Sequence, residues 1–127
     1  MTASDPTGSS AAGTPGPTAL PPGELHITIR METTEPVVVL EGELDLETAP
    51  KLQSVLGTIL EEPSTTNVTL DMEGLEFIDS TGLRILVDAV SRLGDRGGKL
   101  AVRGARPATL KVLEICGLTQ TMRVIGA

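Results

Sequence analysis

Runs with the period of a β-strand alternate along this chain with runs that have the period of an α-helix. Residues 25–31 alternate apolar and polar side chains, and residues 37–40 are an unbroken run of Val and Leu. These patterns predict a hairpin of one half-buried and one more fully buried strand. The next apolar positions have helical spacing, and they are Leu52, Val55, Leu56, Ile59 and Leu60. Asp45 or Thr48 can cap this helix, and Pro50 suits its first turn.

The same alternation continues to the C-terminus. Residues 67–72 and 99–103 are predicted strands, residues 122–125 could form a short last strand, and a third helix is expected from Pro107 to a cap at Gly117. The predicted inward positions are Leu83, Leu86, Val87, Val90 and Leu93 in the second helix, and Leu110, Leu113 and Cys116 in the third. Alternating strands and helices favour parallel pairing, and the hairpin adds one antiparallel strand. We therefore predict an α/β fold with a small mixed sheet of four to five strands.

Residues 1–23 differ from the remainder of the chain because they are mostly small residues, Pro, Ser and Thr. Such a segment buries too little apolar surface to offset the entropy of ordering, so we predict a disordered tail. It also lacks the basic start and apolar centre of a secretory signal. Residues 24–127 are then expected to form one compact domain with an aliphatic core, because Phe77 is the only aromatic residue.

Composition excludes several classes of function. The net charge of −7 and the lack of Trp and Tyr disfavour nucleic-acid binding, and no apolar run is long enough to span a membrane. A cytoplasmic protein is expected. The single His26 and the single Cys116 support neither a catalytic triad nor a metal site. Two groups of acidic residues are interpreted as solvated rather than catalytic, namely Glu41, Glu43, Asp45 and Glu47, and Asp71, Glu73, Glu76 and Asp79.

Ser80 stands between a short apolar pair and the second predicted helix, which is the N-cap position. One interpretation is that its hydroxyl only caps the helix, a role that Thr81 could share. The other is that the hydroxyl is phosphorylated at the positive end of the helix, close to Asp79. If the sheet is parallel, the predicted loops 42–47, 73–80 and 104–106 meet at one edge, with Arg103 and Arg106 among the acidic residues.

Three segments resemble the signature of bacterial anti-sigma factor antagonists, which belong to the STAS domain family. They are LEGELD at 40–45, VTLDM at 68–72 and FIDSTGL at 77–83. Residues 98–102 and 112–118 are similar to the later strand and helix of the family, so the resemblance extends over residues 24–125. It implies a STAS-like mixed sheet with helices packed on one side.

The resemblance also implies a partner-switching mechanism, as in stress-response and sporulation-like regulation. In that family the unphosphorylated protein binds an anti-sigma factor with serine kinase activity and frees the sigma factor for transcription. Phosphorylation in the Asp-Ser-x-Gly motif releases the antagonist, and a serine phosphatase resets it. The modified position corresponds to Ser80, with Thr81 as second choice, and Asp45 and Asp79 match neighbouring acidic positions.

The resulting hypothesis is a non-enzymatic binding protein, a monomer or weak dimer with no cofactor or metal of its own. Its predicted partner-binding residues are Glu43, Asp45, Glu76, Asp79, Ser80, Thr81, Arg84 and Arg106. The alternative is a ligand-sensing or scaffold STAS domain of a stress-signalling or transport complex. In that case Ser80 would be only a cap, and a nucleotide or lipid would bind the loop edge.

Overall fold

A computed structural model describes residues 21–125 of the chain. The elements are β1 (Leu25–Glu32), β2 (Glu35–Leu44), α1 (Ala49–Leu60), β3 (Asn67–Ile78), α2 (Ser80–Gly94), β4 (Lys99–Arg103), α3 (Pro107–Ile115), a 3-10 turn (Leu118–Gln120) and β5 (Arg123–Ile125). Their order is the predicted one. The predicted tail lies outside the described residues, apart from residues 21–23.

The strands form one mixed sheet in the order β1-β2-β3-β4-β5. β1 and β2 pair antiparallel, as the hairpin pattern predicted, and all later neighbours pair in parallel. Each helix therefore connects adjacent parallel strands, and such right-handed connections place the helices on one face of the sheet. Leu56 of α1, Leu86 of α2 and Leu113 of α3 all join a single core cluster with the strand residues. The predicted STAS-like α/β architecture, with helices on one side, is confirmed.

β3 is much longer than the sequence pattern predicted. Its buried residues are spaced by two and then by three, namely Val68, Leu70, Met72, Leu75 and Ile78. The register with β2 shifts after Val39 and again after Gly42, and each shift leaves an extra residue on β3. These bulges break the alternation on which the strand prediction rested. Most of the predicted loop 73–80, and the start of loop 42–47, are consequently strand.

Several helix predictions also need correction. Val87 is half exposed, because the buried face of α2 follows Gly82, Leu86, Ala89 and Leu93 instead. Cys116 was predicted to face inward, but it is exposed at the C-cap of α3, whose buried residues are Thr109 and Leu113. Gly117, predicted as the C-terminal cap, follows the C-cap residue Cys116 and has a left-handed conformation with φ 76°. His26 is exposed on β1, as expected.

Candidate functional site

Two aspartate turns lie side by side where β2 and β3 end. Leu44 and Ile78, the last residues of these strands, pair with each other, and Asp45 and Asp79 follow them directly. The Asp79 N–H also donates to the Leu44 carbonyl at 3.1 Å. The pairing of two parallel strand ends therefore brings together two segments that are far apart in sequence.

The start of α2 is capped by Asp79 rather than by Ser80, so the prediction of Ser80 as N-cap was wrong. Asp79 has an extended backbone, and its Oδ1 accepts from the Thr81 N–H at 2.9 Å and the Gly82 N–H at 3.1 Å. Ser80 is the first helical residue and is exposed to solvent. Its hydroxyl makes no hydrogen bond to any residue among 21–125, so it is free for another role.

The start of α1 repeats this arrangement with extra hydrogen bonds made by the Thr48 hydroxyl. Asp45 Oδ1 accepts from the Glu47 and Thr48 N–H groups, both at 3.0 Å. The Thr48 hydroxyl then accepts from the Asp45 N–H at 2.9 Å and donates to the Glu43 carbonyl at 2.8 Å. Thr48 is buried, and α1 begins only after it, at Ala49. Thr48 is the N-cap residue, but neither predicted side chain caps the helix, because Asp45 and Thr48 bond to each other and close a turn ahead of it.

Gly82 lets α2 approach the strand ends closely. A Cβ atom at this position would lie 2.6 Å from Leu44 Cγ and 3.0 Å from Ile78 Cγ1. Leu44 is fully buried and has little room to move. The Asp-Ser-Thr-Gly sequence can therefore be explained locally: Asp79 caps, Ser80 faces solvent and Gly82 permits close packing.

The predicted partner-binding residues separate into two shallow depressions. Glu43, Glu76 and Arg106 line the first one, together with His26. Thr81 and Arg84 line the second one, between α1 and α2. Asp45, Asp79 and Ser80 line neither, but the segments 43–46 and 76–81 that contain them run from one depression to the other.

Sequence analysis missed the apolar part of the second depression. Leu46 is 71% exposed, and with the half-buried Ile85 it gives the depression an apolar wall. We call the group Leu46, Ser80, Thr81, Arg84 and Ile85 the α1–α2 surface. The sequence does contain a signal for this exposed apolar residue. Leu46 interrupts an acidic segment just before a helix and does not belong to the apolar stripe of that helix.

Arg103 does not join Arg106 at this edge. It is paired in register with Asp71 on the sheet face opposite the helices, and its guanidinium contacts Asp71 at 3.2 Å and Glu32 at 3.1 Å. The hydrogen bond from Arg103 lowers the pKa of the Glu32 carboxyl. Arg106 remains at the edge, where its Nε donates to the Glu73 carbonyl at 3.2 Å.

Within residues 21–125, no group of three or more His, Cys, Asp or Glu side chains is arranged to hold a metal ion. The helices in this part of the chain are too short or too polar for any of them to cross a membrane. The two acidic groups are thus not gathered into one cation site, and Asp45 and Asp79 instead accept from backbone N–H groups.

A protein-family model described as "Mlab, STAS domain" matches residues 27–125. The chain belongs to the STAS domain family. The match includes the whole sheet except the first residues of β1, and it includes both aspartate turns.

Named relatives of this STAS protein agree with that assignment. The anti-sigma-B factor antagonist of Staphylococcus aureus is 32% identical over 87 residues, which are 68% of this chain and 80% of the relative. The crystal structure of an anti-sigma factor antagonist from Mycobacterium paratuberculosis is 27% identical with a TM-score of 0.76, over 87% of this chain and 92% of that one. Bacillus SpoIIAA in its phosphorylated form shares the fold, with 24% identity and a TM-score of 0.66 over 80% and 92% of the two chains.

Proposed function

We propose that this protein is an anti-sigma factor antagonist that binds an anti-sigma factor with serine kinase activity and is released when that kinase phosphorylates Ser80. A serine phosphatase would restore the binding form. The observation that carries the proposal is the exposed, unbonded Ser80 hydroxyl in the first turn of α2, next to an apolar depression. The names of the relatives support the class of partner. In this proposal the chain is a cytoplasmic binding protein and not an enzyme.

The α1–α2 surface has the composition of a small docking site. Leu46 and Ile85 offer apolar contact, while Arg84 and Asp88 provide a polar border. Burial of Leu46 by a partner would contribute apolar stabilisation that the free protein lacks. Ser80 and Thr81 adjoin this contact, so a modification there acts on the docking site directly.

Release is expected to be electrostatic and steric. Phosphorylation adds about −1.5 to −2 charges at neutral pH. Helix N-termini normally stabilise such a group, but here Asp79 already occupies the N–H groups of Thr81 and Gly82. The phosphate would therefore stay at the surface beside a carboxylate, where it opposes docking without altering the core.

Incubation with the cognate kinase and ATP tests the site of modification. One phosphate per chain is expected, located at Ser80 by mass spectrometry. Ser80→Ala should lose the label and Thr81→Ala should keep it. Full labelling of Ser80→Ala would contradict the assignment and point to Thr81.

Calorimetry of the unphosphorylated chain and its variants with the kinase partner tests the release mechanism. Ser80→Asp should weaken binding, whereas Ser91→Asp adds the same charge at an exposed position near the other end of α2 and should bind like the wild type. Equal affinities for both variants would refute release by charge at Ser80.

The alternative of a nucleotide or lipid sensor rested on free N–H groups at the start of α2. Asp79 Oδ1 accepts from two of these groups. An anionic ligand would have to displace this carboxylate, so no observation favours the alternative over partner switching.

A further inference from the structure

β1 forms a long outer edge of the sheet. Among residues 21–125, β1 has 8 residues and pairs only with β2, whereas β5 at the opposite edge has 3. Natural edge strands are usually short, or they carry Pro, a bulge or charged side chains, Lys above all, that discourage further pairing. β1 has no Pro or Lys, its register with β2 is continuous over its whole length, and its charged residues Arg30 and Glu32 already pair with each other.

The backbone groups that face outward can be identified from one hydrogen bond. The Glu43 N–H donates to the Glu24 carbonyl at 2.8 Å, so these residues form a hydrogen-bonded pair. Such pairs alternate along an antiparallel ladder. The even-numbered residues of β1 therefore bond to β2, and the odd-numbered residues direct their N–H and C=O groups away from it. The Leu25 carbonyl follows this rule, because it accepts from Lys51 Nζ at 2.6 Å.

The same odd-numbered residues carry apolar side chains on the helix face. Ile27 packs against the core, but Ile29 is 50% exposed and Met31 is 64% exposed. The outward backbone groups of Ile27, Ile29 and Met31 thus coincide with apolar side chains that the helices of the same chain do not fully cover. One additional strand would bond to the outward backbone groups and would also cover the exposed apolar side chains.

We propose that β1 pairs antiparallel with β1 of a second copy, about a two-fold axis at Ile29. Ile29 then faces the partner's Ile29, and Ile27 faces the partner's Met31. On the other face of the sheet, His26 lies opposite the partner's Glu32. The strand is self-complementary in this register, with apolar residues opposite apolar ones and a base opposite an acid, which favours a second copy as the occupant.

The dimer joins the two sheets through residues 26–32 of each copy. Seven residues per copy are far fewer than the roughly 20–30 residues per side of typical stable complexes, so the association is weak and depends on concentration. The pairing residues do not include Ser80, Thr81 or Arg84. Dimerisation can therefore be tested separately from the proposed function.

Sedimentation velocity of the full chain over a concentration series is the direct test. The wild type should sediment faster as its concentration rises. Ile29→Glu and Ile29→Lys each place like charges opposite each other and should remain monomeric, while an equimolar mixture of the two should associate again. Val87→Glu is the matched control, because Val87 is also 50% exposed but lies on α2. It should associate like the wild type.

The proposal would be overturned by a wild type that stays monomeric throughout, by undiminished association of Ile29→Glu, or by a mixture that stays monomeric. Thermal unfolding of each variant separates lost pairing from lost folding. Met31→Glu supplies a second variant at a more exposed position opposite the partner's Ile27. It should lose association as well, and wild-type association of this variant would also refute the pairing.

Discussion

The same aspartate turn precedes α1 and α2, but it has a different role at each helix. In both, an Asp that follows a strand accepts from the N–H groups two and three residues later. In both, its carbonyl accepts from the N–H four residues later, at Ala49 and Leu83. The third residue after the Asp differs, because it is Thr48 in one turn and Gly82 in the other.

Because of that single difference, the turn before α1 is closed by buried hydrogen bonds, whereas the turn before α2 leaves an accessible site. The Thr48 hydroxyl is buried and bonded to backbone on both sides, so the first turn has no free group at that position. Gly82 has no side chain, and α2 packs directly on Leu44 and starts at Ser80. The residue after each Asp, Leu46 or Ser80, faces solvent. One turn thus presents an apolar contact and the other a hydroxyl.

The largest effect is expected from Gly82→Ala, which would push α2 away from the strand ends. The new Cβ meets Leu44 Cγ at 2.6 Å, and overpacking of this kind costs about 1–3 kcal/mol. Urea denaturation measures the loss. Gly57→Ala in α1 is the control, because its Cβ would meet nothing within 4 Å, and it should gain about 0.5–1 kcal/mol. If both substitutions stabilise the protein, the close-packing explanation of Gly82 is wrong.

Thr48→Val tests the closed turn at α1. The substitution keeps the shape but leaves the Glu43 carbonyl without its hydroxyl donor, which should cost about 1–3 kcal/mol of unfolding free energy. Thr48→Ser retains the hydroxyl and should lose distinctly less. A larger loss for Thr48→Ser than for Thr48→Val would show that the methyl packing, and not the hydrogen bonds, matters at Thr48.

Asp79→Ala removes the cap of α2 and should cost about 1 kcal/mol. Asp79→Asn keeps an oxygen acceptor and should retain most of the stability, so thermal melts of the two variants separate capping from charge. An Asn variant as unstable as the Ala variant would indicate that the negative charge, rather than the cap, stabilises α2.

The smallest effect is expected from Ser80→Ala. Its hydroxyl is exposed and makes no bond within residues 21–125, so the unfolding free energy should change by less than about 0.5 kcal/mol. Denaturant titration beside Thr48→Val gives the contrast directly. A loss comparable with that of Thr48→Val would mean that Ser80 serves the fold, and the comparison of the two turns would fail.

Much of the fold was predictable because local patterns agree with tertiary structure. Helical spacing identified Leu52, Leu56 and Leu60 as buried residues of α1, and alternation identified β1. Prediction failed where strand pairing or helix packing overrides the periodicity of apolar residues. The bulges of β3 break the alternation in its second half, so that half was not predicted as strand. Val87 is exposed because the close contact of Gly82 with the strand ends fixes how α2 is rotated.

The site was predictable in its residues but not in their roles. Glu43, Glu76 and Arg106 meet in one depression, as the parallel topology suggested. The sequence could not show that Asp79, rather than Ser80, caps α2. Both residue types are good N-caps, and only the backbone conformation decides between them.

The sequence by itself determined the order of strands and helices, the aliphatic core and the motifs that mark the STAS domain family, since these depend on periodicity and residue type. Tertiary structure decided that Asp79 caps α2, that Ser80 is left exposed and that Leu46 lies at the same depression as Thr81. The physical reason is that these facts depend on the pairing of Leu44 with Ile78. That contact joins distant parts of the chain, and no local pattern contains it.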